Sequence, residues 1–261
     1  MNSGCYVMDE LHKLKESLKS LLSDLAGNNP LNELKHTIEN KFIYSIPDLV
    51  VLTRVKDLDR ALEKIERKGY TRLDQFTDLV GIKVIVPTVK DLYSVVSFVN
   101  KTFQTISADD YIKHPKESGY KGYHTNFIYK GFNVELQLQT HAMAKASMIT
   151  HDRFYKHIPT TAAGKFMKSL KRVLPAFIFD PMANMVQRLI FATVIPYEII
   201  KSQGFNGYRQ YIKDLAYFNK IDFTSKHVPG DYGRGCGTHN RQPGARQRRG
   251  NPDSGDFLLP E

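Results

Sequence analysis

Leucines recur at Leu11, Leu14, Leu18, Leu21, Leu22 and Leu25. This three-and-four spacing predicts an amphipathic helix over Asp9–Ala26, with Gly27 at its end. Asn28-Asn29-Pro30 breaks the pattern, and Asn29 or Asn32 can cap a second helix from about Pro30 to Asn40. The apolar, β-branched run from Phe42 to Val51 reads as extended. Leu58, Leu62 and Ile65 then share one face of a helix over 57–68, closed by Gly69. Val80–Val86 is the strongest strand, with Val80, Ile82, Val84 and Val86 on one face and Lys83 on the other. Val89–Lys101 is expected to be helical and residues 102–107 a short strand. Helices are also expected over 141–155, 182–195 and 208–219.

The clearest pattern follows Lys130-Gly131, a glycine-containing break between two extended runs that suits a tight hairpin. Phe132, Val134, Leu136 and Leu138 alternate with Asn133, Glu135, Gln137 and Gln139. One face is core; the other is a ladder of one carboxylate and three amides. Gln has poor strand propensity. The polar face is therefore either a solvated surface or the floor of a polar cleft that holds a carboxylate.

Composition narrows the class. The chain has 261 residues, 41% of them hydrophobic, and a formal net charge of +10. That is enough for a sizeable core in one large domain, or one domain with an appendage. Cys5 and Cys236 form neither a disulfide framework nor a zinc spacing, which suits a reducing cytoplasm. No apolar leader opens the chain, and charged residues and prolines interrupt Val173–Ile200, so no membrane span is expected. The charge is uneven. Residues 141–226 carry 13 Lys/Arg against 5 Asp/Glu, while residues 1–140 are balanced at 19 against 18. A basic segment behind a neutral core points to a polyanionic partner or to a merely soluble surface. From about Lys226 to Glu261, Gly, Arg, Pro and Gln dominate, and this tail reads as disordered.

The candidate chemistry gathers between Asp109 and Thr140. Lys113, Lys116 and Lys121 sit in a loop broken by Pro115 and Gly119, interleaved with Tyr111, Tyr120 and Tyr123, and His124 opens the next strand. Cations hold phosphates, and aromatic faces stack bases. Upstream, Arg54, Lys56 and Lys64 bring three cations toward one region, and Asp78 precedes the strong strand. There is no Walker A sequence.

The order D-Y-I-x-x-P-K-x-x-G-Y-K-x-x-H, then V-E-x-Q-x-x-T, resembles the synthetase domain of RelA/SpoT proteins. Arg54, Lys56, Lys64 and Asp78-Leu79-Val80-Gly81-Ile82-Lys83 extend the resemblance. It implies a mixed α/β fold: a central mixed β-sheet flanked by helices, of nucleotidyltransferase type. It also implies transfer of pyrophosphate from ATP to the ribose 3′-OH of GDP or GTP, making the alarmone (p)ppGpp in a cytoplasmic stringent response. On that reading Arg54, Lys56 and Lys64 bind ATP. Asp78 and Glu135 hold Mg²⁺, and Glu135 is also the base. Tyr120, Lys113, Lys116, Lys121, His124 and Gln137 surround the acceptor.

The sequence departs from the family at several positions. Lys83 stands for a usual Arg, Asp57 for Ser, Gln139 for Arg, and Thr150 for Glu in a helix where His151 matches. Some small relatives are toxins that pyrophosphorylate the 3′ end of tRNA. Gly122-Tyr123 and the basic segment favour that alternative, with Lys165, Lys168, Lys171 and Arg172 as the tRNA contacts and an antitoxin protein as partner. A third alternative is an inactive nucleotide-binding regulatory module. Small synthetases often form homo-oligomers. The expected organisation is N-terminal helices over 1–45, a synthetase core over 46–160, a basic helical segment over 161–225 and the tail.

Overall fold

The computed structural model describes residues 3–28, 30–76, 78–156 and 159–223. The Asn29 cap and the tail from about Lys226, Cys236 included, lie outside these residues. Helices α1 (Ser3–Asn28) and α2 (Pro30–Phe42) precede strand β1 (Val50–Val55) and helix α3 (Leu58–Lys68). Strand β2 (Val80–Val86), helix α4 (Val89–Thr102) and strands β3 (Gln104–Asp110), β4 (Tyr123–Tyr129) and β5 (Phe132–Thr140) follow. Helix α5 (His141–Thr150) runs into a π-turn over His151–Tyr155, and α6 (Ala162–Val173) and α7 (Ala176–Phe218) complete the described chain.

The strands form one mixed sheet in the order β1-β2-β5-β4-β3. Its central pair, β2 and β5, is parallel, and the other pairings are antiparallel. The hairpin forms where glycine predicts it. Lys130 and Gly131 both take positive φ, 48° and 83°, the backbone of a tight I′-type turn.

Register sorts the sheet into two faces. On one, Ile82 pairs with Leu136 and Leu136 with Thr125, while Val80 pairs with Val134 and Val134 with Phe127. Ile82, Leu136, Val84 and Phe127 are fully buried, each contributing about 1.5–3 kcal/mol by leaving water. Helices α2 and α4 pack on the sheet, with Phe98 edge-on to Phe42. The other face carries two polar rows. Arg54, Gly81, Glu135, Asn126 and Ser107 lie across one; Leu52, Lys83, Gln137, His124 and Asp109 lie across the next.

Several boundaries differ from the sequence reading. The run from Phe42 is not extended: Phe42 ends α2, Pro47 and Asp48 turn the chain (φ 55° at Asp48), and the strand begins at Val50. The two helices expected over 182–195 and 208–219 are present as the two parts of α7, which breaks at Gly204, where φ is 68°; the first part is longer than expected, with Pro181 and Pro196 inside it. Asp57, which replaces the family's Ser, is the N-cap of α3 and accepts from the Asp59 backbone N–H.

Candidate active site

Asp78 is the hub. The Lys56 backbone N–H donates to the Leu79 carbonyl, extending the β1–β2 ladder by one step. That step sets the Lys56 side chain against Asp78. Helix α3 brings Lys64 to the same place. Both ammonium groups lie 2.7 Å from Asp78 Oδ2, and all three side chains are nearly buried, at 5%, 5% and 11% exposure. Burial alone would raise the Asp78 pKa, but Lys56 and Lys64 hold it below the ordinary carboxylate value. Burial depresses Lys56, and Asp78 offsets that only in part. Arg54 lies close enough to Lys56 to repel it. Thus the sequence's three ATP candidates meet.

Glu135 stands on the neighbouring strand, opposite Gly81. Burial, and then the Asp78 charge, raise its pKa. A carboxyl group pushed upward in this way is a better proton acceptor than an ordinary carboxylate. Gln137 Nε2 donates to Glu135 Oε2 at 3.3 Å, and His124 Nδ1 stands 3.8 Å from Oε1.

An aromatic and cationic wall faces the carboxylates. His124 is pushed down to about 3 by burial, then by Lys116 and Lys83, so it is neutral. Tyr120 is pushed far above its ordinary pKa by burial and then by Glu135. Its hydroxyl therefore keeps its proton and donates to His124 Nε2, 2.6 Å away. That leaves the ring proton on Nδ1, toward Glu135. The Lys116 ammonium sits over Tyr111 at 4.4 Å and over Tyr120 at 5.2 Å. Lys83 is buried and falls to about 8 for that reason. It shares a row with Gln137 and His124.

Other predicted residues lie elsewhere or act differently. Lys113 is not in this cluster. Its ammonium is 3.3 Å from Asp110 Oδ2 and donates to the Ile221 carbonyl, on the core side of the sheet where Asp110 pairs with Tyr123. Lys121 gives its carbonyl to Gln139 Nε2 at 2.9 Å, and the same amide reaches Ser147 Oγ at 2.7 Å. Gln139 therefore ties the loop to α5, where an Arg would present charge. Thr150 is buried and bonds back to the Ala146 and Ser147 carbonyls. Tyr123 is fully buried and donates to the Phe223 carbonyl, so it belongs to the core and does not face an acceptor. Lys165, Lys168, Lys171 and Arg172 lie on α6, with Lys165, Lys171 and Arg172 exposed. Arg188 and Phe191, which touch the Tyr120 loop, were not legible beforehand. They come from α7, and Arg188 lies 71 positions along the chain from its partner Glu117.

Among the described residues, no group of three or more His, Cys, Asp or Glu is gathered as a metal site, and no helix is long and apolar enough to cross a membrane. Asp78 Oδ1, however, is a buried oxygen without a hydrogen-bond partner, on a carboxylate whose charge acts on Glu135. Mg²⁺ needs few protein carboxylates, because waters and substrate phosphates complete its shell. The pair fits such an ion.

Residues 53–159 match the family described as a region found in RelA / SpoT proteins. The GTP pyrophosphokinase YjbM of Bacillus subtilis is 33% identical over 119 residues, covering 41% of this chain and 56% of that protein. The probable chloroplastic GTP diphosphokinase RSH3 of Arabidopsis thaliana is 27% identical over 152 residues, covering 56% of this chain and 21% of that protein. The chain thus spans little more than half of one relative's length and a fifth of the other's. Its fold is that of the small alarmone synthetase 1 from Bacillus subtilis, at TM-score 0.53 and 22% identity, covering 75% of this chain and 98% of that one. The same synthetase bound to its product pppGpp gives TM-score 0.52 at 23% identity, covering 75% and 99%.

Proposed function

We propose that this chain is an ATP-dependent pyrophosphokinase that transfers pyrophosphate to the ribose 3′-OH of GDP or GTP. The observation that carries the proposal is the placement of Asp78, just before β2, and Glu135, on the adjoining strand β5. One is held anionic by Lys56 and Lys64; the other has its pKa raised by burial and by the Asp78 charge. The match to the RelA/SpoT region and the relatives named GTP pyrophosphokinase support the same reading.

In this reading Arg54, Lys56 and Lys64 bind the ATP phosphates and lower the repulsion met by an incoming nucleophile. Asp78 Oδ1 and Glu135 would hold Mg²⁺, which neutralises phosphate charge and orients the phosphates. Lys116, Tyr111 and Tyr120 form the acceptor wall, with neutral His124 fixing the Tyr120 hydroxyl. Glu135 accepts the 3′-OH proton as that oxygen bonds to the β-phosphorus. The bond from that phosphorus to the bridging oxygen of the α-phosphate breaks, and AMP leaves. Most of the acceleration comes from positioning and charge, with a general base adding about 10²–10⁴-fold.

A second reading, transfer to tRNA, draws on the exposed cations of α6. Tyr123 no longer argues for it, since its ring is core. One experiment separates the two. ATP labelled on the γ-phosphate is incubated with the protein, Mg²⁺, GDP, GTP and bulk tRNA together. Label is expected in a guanosine product; label in tRNA alone, or in neither, overturns the proposal.

A further inference from the structure

The loop that carries the acceptor wall is held at both ends by the last part of the chain. At its start, buried Asp110 accepts from the Tyr93 hydroxyl at 2.8 Å and from the backbone N–H groups of Ile112 and Lys113 at 3.1 and 3.2 Å. Lys113 bridges Asp110 to the Ile221 carbonyl and lies over the rings of Tyr93 and Phe223, at 5.5 and 5.3 Å. Phe223 stacks on Tyr93 at 4.7 Å. Its carbonyl accepts from the Tyr123 hydroxyl at 2.9 Å and from Asn100 Nδ2 at 3.2 Å.

At the other end of the loop, Arg188 Nε donates to the Glu117 carbonyl. Gly119 has φ 79°, and a Cβ there would come within 2.9 Å of the Arg188 Cα. Phe191 sets its ring at 79° to that of Tyr120, 5.9 Å away.

From these two clamps we infer that Phe223 and Arg188 are positioning residues for the acceptor, acting through the loop from Asp110 to Tyr120. The inference rests on the proposed function. A cavity of about 380 Å³ is lined by residues 108–111, 113 and 114 on the loop side and by residues 219–222 on the other. The segment before Phe223 is therefore not packed solidly on the loop, and the contacts at Lys113 and Phe223 carry the connection. The ATP-side cations are Arg54 on β1, Lys56 just beyond it and Lys64 on α3, and the clamp contacts given above involve none of them. Loosening a clamp lets the loop sample more conformations, and an acceptor must then order it on binding. The loss must fall on the acceptor and spare ATP, which general destabilisation would not do.

The test uses the full chain with Phe223→Ala, Arg188→Ala and the milder Tyr123→Phe, which removes one hydroxyl from the Phe223 carbonyl. Hydrogen exchange reads the loop without any need for activity. Amides of residues 111–121 are expected to exchange about tenfold faster in the alanine variants. The KM for GDP should rise about tenfold, the equivalent of one or two lost contacts, with kcat and the KM for ATP nearly unchanged. Phe223→Tyr, which keeps the stack, should restore both readouts. Unchanged exchange in the loop, or equal rises in both KM values, overturns the inference. If the wild type transfers nothing to GDP, the proposed function fails, and the exchange data alone still decide whether the clamps exist.

Discussion

Asp78→Asn tests the site through its energetics. The substitution keeps the shape of the side chain and removes the charge between two buried ammonium groups, each 2.7 Å from Oδ2. An amide can accept from one lysine, but its NH₂ then faces another cation. Breaking a buried ion pair by neutralising one partner costs about 3–5 kcal/mol, because the remaining charge is left desolvated. For a domain of this size that corresponds to a fall in Tm of ~6–20 °C. The chain has no Trp, so unfolding is followed by far-ultraviolet circular dichroism. The pH dependence has a definite sign. Asp78 is depressed below its ordinary value of 3.8, so its stabilisation is present above that pH and is lost as pH falls through the folded pKa. The gap between wild type and variant should therefore close in acid. Adding Lys56→Met to Asp78→Asn should recover part of the loss, since one uncompensated ammonium is gone. A loss below about 1 kcal/mol at neutral pH, typical of exposed pairs, would refute the buried triad.

Three further outcomes follow from the same geometry. Glu135→Gln should lower transfer by about 10²-fold or more. It should also raise Tm at neutral pH: the Glu135 pKa is raised above 4.5, so the buried carboxylate destabilises once ionised and the variant's advantage should vanish below that pH. Tyr120→Ala should weaken GDP far more than ATP, by roughly 1–3 kcal/mol if the ring stacks on the base, as read from the separate KM values. Replacing Lys165, Lys168, Lys171 and Arg172 with Glu should leave transfer to GDP nearly unchanged, whereas a tRNA acceptor would lose labelling and show a steep salt dependence.

The sheet was legible where local chemistry and tertiary demand agree. Phe132, Val134, Leu136 and Leu138 alternate because one face of β5 is core, and Lys130-Gly131 supplies the positive-φ backbone of the hairpin turn. Arg54, Lys56 and Lys64 were legible as a group because strand and helix periods turn three cations toward one region; the pairing of Lys56 and Lys64 with Asp78 was not, because it joins residues far apart in sequence. Ile43 and Ile46 misled, since apolar content without turn geometry mimics a strand. Pro181 and Pro196 misled in the opposite direction. Each removes a helix hydrogen bond, yet burial of Phe179, Ile190, Phe191, Ile195 and Ile199 outweighs that loss and carries α7 through. The turn of Lys113 toward Ile221, and the support of Tyr120 by Phe191, depend on contacts far apart in sequence that no local pattern encodes.

The alternation along β5 also bears on the quality of the folded population. Glu135 lies between Val134 and Leu136, so a strand paired one residue out of step would turn its carboxylate into the core and its leucines outward. Such a molecule would lose its chemistry and its stability together. A chain that survives as a folded species is thereby one in which the carboxylate proposed as the base already lies on the polar face, so quality control acting on stability alone would also remove copies with that group misplaced.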